Sequence, residues 1–125
     1  MYLFDTNIFL EILLGQKKSA DCKRILADNI NSIFISDFSL HSIGVILFRN
    51  RQEKVFNSFV TDVLPKIEIV SLSIESYKNL SKLNKYNLDF DDSYQYKVAE
   101  EQGLTILTMD KDFMRVKDKI KVKFL

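Results

Sequence analysis

Five short apolar runs, rich in β-branched or aromatic residues, stand apart along the chain: Tyr2–Phe4, Ile33–Ile35, Ile67–Val70, Thr105–Leu107 and Ile120–Phe124. Such runs, a few residues long and bounded by polar positions, predict strands. The stretches between them have helical spacing. Ile8, Leu10, Ile12 and Leu13 suit a first short helix, and Cys22, Ile25, Leu26 and Ile30 a second. Phe38, Leu40, Ile43, Ile46 and Leu47 suit a third. A fourth, on Val55, Phe59, Val60, Val63 and Leu64, should stop at Pro65, which lacks a backbone donor and restrains the residue before it. Ser73–Ser76 opens a fifth helix reaching about Leu83, and a sixth runs from about Asp91 to Gln102, with Gly103 just past its end. Strands alternating with helices predict an α/β fold, a sandwich with a mainly parallel sheet of about five strands. In such sheets ligand sites form beyond the carboxyl ends of the strands.

Composition adds little to this picture. A chain of 125 residues predicts one compact domain, residues 1–125, and a 46% hydrophobic and 28% charged content is that of an ordinary globular protein. A net charge of +1 lacks the strong basic bias of many nucleic-acid binders. Locally, six Lys and Arg residues crowd positions 111–123 among Asp110, Asp112 and Asp118. They suit either a solvated, alternating edge strand or a phosphate-contacting patch. Cys22 is the only cysteine, so no internal disulfide can form; within a helix it reads as a small buried hydrophobe. No signal peptide and no membrane span is expected, which suggests a cytoplasmic protein.

The candidate chemistry lies in the acids. "LFDTN" places Asp5 at the end of the first strand, where an unpartnered carboxylate would be costly to desolvate. "LDFDDSYQY" crowds Asp89, Asp91 and Asp92 at the start of the sixth helix, and "ILTMDKDF" sets Asp110 and Asp112 after the fourth strand. A helix cap accounts for one of Asp91 and Asp92, and a turn for Asp110 or Asp112 alone. If the first and fourth strands are neighbours, however, these acids share one edge. Carboxylates that close repel by about 4 kcal/mol per pair at 4 Å and an effective dielectric of 20. Either their pKa values rise or a cation sits among them. An all-oxygen cluster suits Mg²⁺ or Mn²⁺; zinc would want His or Cys, and the chain has one of each, far apart.

"LFDTN", "DFDDSYQYKVAEEQG" and "ILTMDKDF", in that order, resemble PIN-domain proteins, and among them the single-domain toxins of the VapC kind. The resemblance runs from Tyr2 to the last strand. It implies a three-layer α/β/α sandwich and a Mg²⁺- or Mn²⁺-dependent ribonuclease, the toxin of a toxin–antitoxin pair. Its RNA substrate, an antitoxin protein and a second copy of the chain are the implied partners, with apolar helices three and four as a candidate dimer surface. By motif position Asp5, Asp92 and Asp110 are the implied metal ligands, Asp112 assists through water, and Thr6 and Asn7 orient Asp5. Asp89 and Asp91 have no firm counterpart.

One departure stands out. The resemblance expects a Glu in the helix after the second strand, and "ISDFSLHSIGVIL" puts Ser42 there, beside His41. His41 could replace the acid as a donor, phosphate contact or proton shuttle, since its unperturbed pKa is near 6.5, or be an ordinary packed or surface residue. Loss of the acid also keeps open a binding module that no longer cleaves, and, on a similar scaffold, another Mg²⁺-dependent phosphohydrolase. Tyr94 and Tyr96 could stack bases or simply pack.

Overall fold

A computed structural model describes all residues 1–125. Five parallel strands form one sheet: β1 (Tyr2–Phe4), β2 (Ile33–Ser36), β3 (Glu68–Val70), β4 (Thr105–Thr108) and β5 (Val122–Phe124), in the order β3-β2-β1-β4-β5. The helices are α1 (Thr6–Leu13), α2 (Ser19–Asp28), α3 (Asp37–Arg49), α4 (Glu53–Asp62), α5 (Ile74–Tyr77) and α6 (Phe90–Gln102). The pleat sends successive side chains to opposite faces. Leu3 and Ile106 therefore join a core with Val98, Leu104 and Phe113, while Phe4 and Leu107 join a second core with Ile8, Phe9, Ile43 and Leu47. Helices cover both faces, giving the three-layer α/β/α sandwich.

β1 pairs with β2 on one side and with β4 on the other, Phe4 opposite Leu107. The first and fourth strands are thus neighbours, and Asp5 and Asp110 leave the same edge of the sheet. The second core is aromatic, with Phe9 against Phe4 and Phe59 at ring-centroid distances of 5.7 and 5.5 Å. Cys22 is a free thiol buried in that core. β5 is an edge strand in which exposed Lys123 stands between partly buried Val122 and Phe124, with exposed Lys121 just before it.

Several boundaries differ from the sequence expectation. The fifth helix is a single α-helical turn followed by a 3₁₀ stretch, Leu80–Tyr86. Asn79 explains the break: its Nδ2 donates to the Glu75 carbonyl at 3.2 Å, the oxygen its own backbone N–H would take in a continuing helix, and that N–H turns to Ser76 instead. The fourth helix ends at Asp62, and Pro65 sits in a separate 3₁₀ turn, Leu64–Lys66. Ile30 likewise lies in a 3₁₀ turn beyond α2. The sixth helix starts at Phe90, and its cap is Asp89 rather than Asp91 or Asp92; the Asp89 carboxylate accepts from the Asp92 backbone N–H at 2.9 Å. Gly103 closes that helix at φ 66°, a left-handed conformation glycine adopts without strain.

Candidate metal centre

Asp5 follows the central strand and caps α1. Although it is 93% buried, both carboxylate oxygens are occupied. Oδ1 accepts from the Thr6 N–H (2.9 Å) and Gln95 Nε2 (3.2 Å), and Oδ2 from Thr108 Oγ1 (2.7 Å) and Asn7 Nδ2 (3.3 Å). Burial pushes its pKa up; the bonds from Thr108, Gln95 and Thr6 oppose this, and the nearby Asp110 charge adds to it. Asn7 also accepts the Met109 N–H at 3.3 Å, tying α1 to the end of β4. The Thr6 hydroxyl donates to Ser39 Oγ (2.8 Å), which Gln95 Nε2 also reaches (2.9 Å).

Asp92 has the opposite environment. The residue is 7% exposed, and its carboxylate accepts no hydrogen bond from the protein. Burial first, then the charges of Asp110, Asp89, Asp5 and Asp112, push its pKa up to about 7. Oxygens of Asp92, Asp110 and Asp112 lie within 4.8 Å of one another. Asp110 caps the 3₁₀ turn Lys111–Val116, its Oδ1 accepting the Asp112 N–H at 2.8 Å, while Asp112 also meets Arg115 at 3.3 Å. Asp5 is not one of this group of three, but it shares with Asp92 and Asp110 a pocket of about 270 Å³ that Thr6, Asn7, Ser42 and Gln95 also line. Asp91 is exposed at the rim, its carboxyl raised by partial burial and by Asp89.

This donor set fits a hard divalent cation. It is all oxygen, net negative and water-accessible, and burial first, with the neighbouring acids adding to it, disfavours the ionised Asp92 in the absence of a positive charge. Oε1 of Gln95 is the one buried side-chain polar atom in the protein with no hydrogen-bond partner. An orphaned acceptor of this kind costs about 1–3 kcal/mol.

The two residues at the expected Glu position part company. Ser42 lines the acidic pocket. His41, one residue and some 100° around the helix, is exposed and lines a neighbouring pocket with Asp37, Phe38, Tyr77, Phe90 and Tyr94. Tyr94 and Tyr96 are both buried and pack in the core. Gln95 escaped the sequence reading, although its position three residues after Asp92 puts both on one helix face.

Compared with family models, residues 2–119 match the PIN domain. Compared with curated proteins by sequence, the chain matches none. Among solved structures, FitAcB from Neisseria gonorrhoeae superposes with a TM-score of 0.81 at 17% identity, covering 98% of this chain and 96% of that one. VapC20 of Mycobacterium tuberculosis, described as a Sarcin-Ricin loop cleaving toxin, gives 0.77 at 14% identity, over 91% and 93%. VapBC2 from Rickettsia felis, bound to a DNA fragment from its promoter, gives 0.75 at 17% identity, over 99% and 98%.

Proposed function

The chain belongs to the PIN-domain family, and on that premise we propose that it is a Mg²⁺- or Mn²⁺-dependent endoribonuclease, the toxin of a toxin–antitoxin pair. The observation that carries the proposal is the convergence of Asp92, Asp110 and Asp112, with Asp5 in the same pocket, at the carboxyl end of a parallel sheet. Asp92 and Asp110 would hold the cation with Asp5, and Asp112 would assist. A bound divalent ion would supply a water of lowered pKa and neutralise charge growing on the phosphate oxygens. The chain's own part is positional. Thr108, Asn7, Gln95 and the Thr6 N–H fix the Asp5 carboxylate in one rotamer, and Asp110 is anchored by its backbone bond to Thr108 Oγ1 at 2.9 Å. The ionised state of Asp92 is costly alone and would become favourable beside a cation, so Asp92 would give up its proton near neutral pH when holding one.

A protein antitoxin and a second copy of the chain are the proposed partners. That solved relatives are toxin–antitoxin assemblies supports the first. For the second, α3 and α4 offer an apolar groove around Leu40, Val45, Phe48 and Phe56, with Phe48 55% exposed.

The second reading is a PIN-fold module that binds RNA or protein without cleaving it. Ser42, lining the acidic pocket where an acid is expected, favours it. Incubating structured RNA with the purified protein, with and without Mn²⁺ and alongside Asp5→Asn, separates the two. Cleavage that needs both the metal and Asp5 supports the nuclease; RNA binding without cleavage supports the module and removes the nuclease.

A further inference from the structure

Next to the acidic pocket lies a cavity of about 410 Å³ with aromatic walls, lined by Asp37, Phe38, His41, Tyr77, Phe90 and Tyr94. Phe38 lines both, so the two are neighbours. The rings form one cluster: Phe38 is 5.6 Å from Tyr94 and 6.3 Å from Phe90, and Tyr77 is 5.8 Å from Tyr94. Tyr94 is its fixed floor. It is 2% exposed, donates its hydroxyl to Asp37 Oδ1 at 2.6 Å and accepts the Leu72 N–H at 3.1 Å. Phe90 and Tyr77, by contrast, leave 57% and 46% of their surface open. An isolated exposed ring needs no explanation, but two flanking a concave site do.

The polar groups are equally selective. Asp37 Oδ1 is taken by Tyr94 and by the Phe38 N–H (2.8 Å), while Oδ2 accepts no hydrogen bond from the protein. The cavity therefore offers stacking faces, one free carboxylate acceptor and the exposed imidazole of His41. That combination suits a flat heteroaromatic ring carrying N–H donors.

We propose that this aromatic cavity is a nucleobase subsite, in which Phe90 and Tyr77 stack a purine of the RNA strand next to the phosphate at the acidic pocket. The assignment rests on the ribonuclease reading. A purine is favoured over a pyrimidine because it presents the larger stacking face, and the exocyclic amine of adenine or guanine can donate to Asp37 Oδ2. Phe90 and Tyr77 are then specificity residues: they set which nucleotide is held and leave the metal centre untouched.

The test is fluorescence anisotropy with labelled oligo(A) and oligo(U) octaribonucleotides, run in EDTA and again in Ca²⁺, on the full chain. Oligo(A) should bind several-fold tighter than oligo(U). Phe90→Ala and Tyr77→Ala should each weaken oligo(A) binding on the order of tenfold, the usual size of a lost base–aromatic stack. Phe90→Tyr should keep the affinity. Equal affinity for both oligonucleotides, no binding of either, or indifference to both alanine substitutions overturns the subsite. Cleavage assays on the same proteins keep the two ideas apart. Metal-dependent cleavage whose KM ignores Phe90 and Tyr77 removes the subsite and keeps the nuclease; purine-selective binding without cleavage does the reverse.

Discussion

Replacing Asp92 by Asn should stabilise the metal-free protein at neutral and alkaline pH. Asp92 is buried, accepts no hydrogen bond from the protein and is raised by the charges of four other acids, so its ionised form is penalised in the fold. Its pKa rises from 3.8 unfolded to about 7 folded. An acid whose folded pKa is raised binds more protons folded than unfolded, so its contribution falls as pH rises between those values and is flat above the upper one. Three pH units at 1.36 kcal/mol each amount to ~4 kcal/mol. Water at the pocket mouth screens part of this, leaving ~2–4 kcal/mol, or about 10 °C in Tm for a domain of this size. Asn keeps the shape and cannot ionise. Thermal unfolding in EDTA from pH 4 to pH 8 should therefore show the two proteins matched at the acid end and the variant increasingly more stable up to pH 7. Saturating Mn²⁺ should raise the wild type strongly and the variant little. Parallel curves in EDTA, or a variant less stable at pH 8, would refute the claim that burial among other acids, rather than hydrogen bonding, governs this carboxylate.

Three further outcomes follow from the same geometry. Ser42→Glu adds an acid to the pocket that Ser42 already lines, so metal-free Tm should fall at pH 8 while Mn²⁺ affinity, by calorimetry, rises about tenfold. Gln95→Leu removes a donor to Asp5 together with the orphaned Oε1; Tm should move by only a few degrees, while metal-dependent RNA cleavage drops by about 10- to 100-fold. Gly103→Ala forces a side chain into a left-handed conformation that has open space but unfavourable backbone, costing about 1 kcal/mol in denaturant unfolding with no change in metal binding.

The central architecture was legible because burial writes itself into the sequence. Strands covered on both faces read as short apolar runs, and the rule that sites sit at strand ends then located Asp5 and Asp110 before their adjacency was known. Element ends were less legible because they are decided by single competing hydrogen bonds. "LDFDD" offers three possible caps, and nothing local says that Asp89 takes the role and leaves Asp92 free for the pocket. Asn79 likewise ends a helix through one side-chain bond. The aromatic cavity was illegible for another reason. Phe38, Tyr77 and Phe90 lie on three separate segments, and only their tertiary placement distinguishes the exposed rings of Phe90 and Tyr77 from the buried rings of Tyr94 and Tyr96.

The strand order has a consequence for the chain during its synthesis. β1 occupies the middle of the sheet, yet its partner β4 is more than a hundred residues later, and the acids that share a pocket with Asp5 lie between positions 91 and 110. A nascent chain truncated anywhere before β4 has its central strand open on one side and lacks Asp110 and Asp112, two of the three clustered acids. On the nuclease reading, activity would therefore be withheld from the ribosome-bound chain until nearly all of it has emerged. Folding of the last third and completion of the acidic cluster become a single late event, so the α1–α4 half is formed before the site exists.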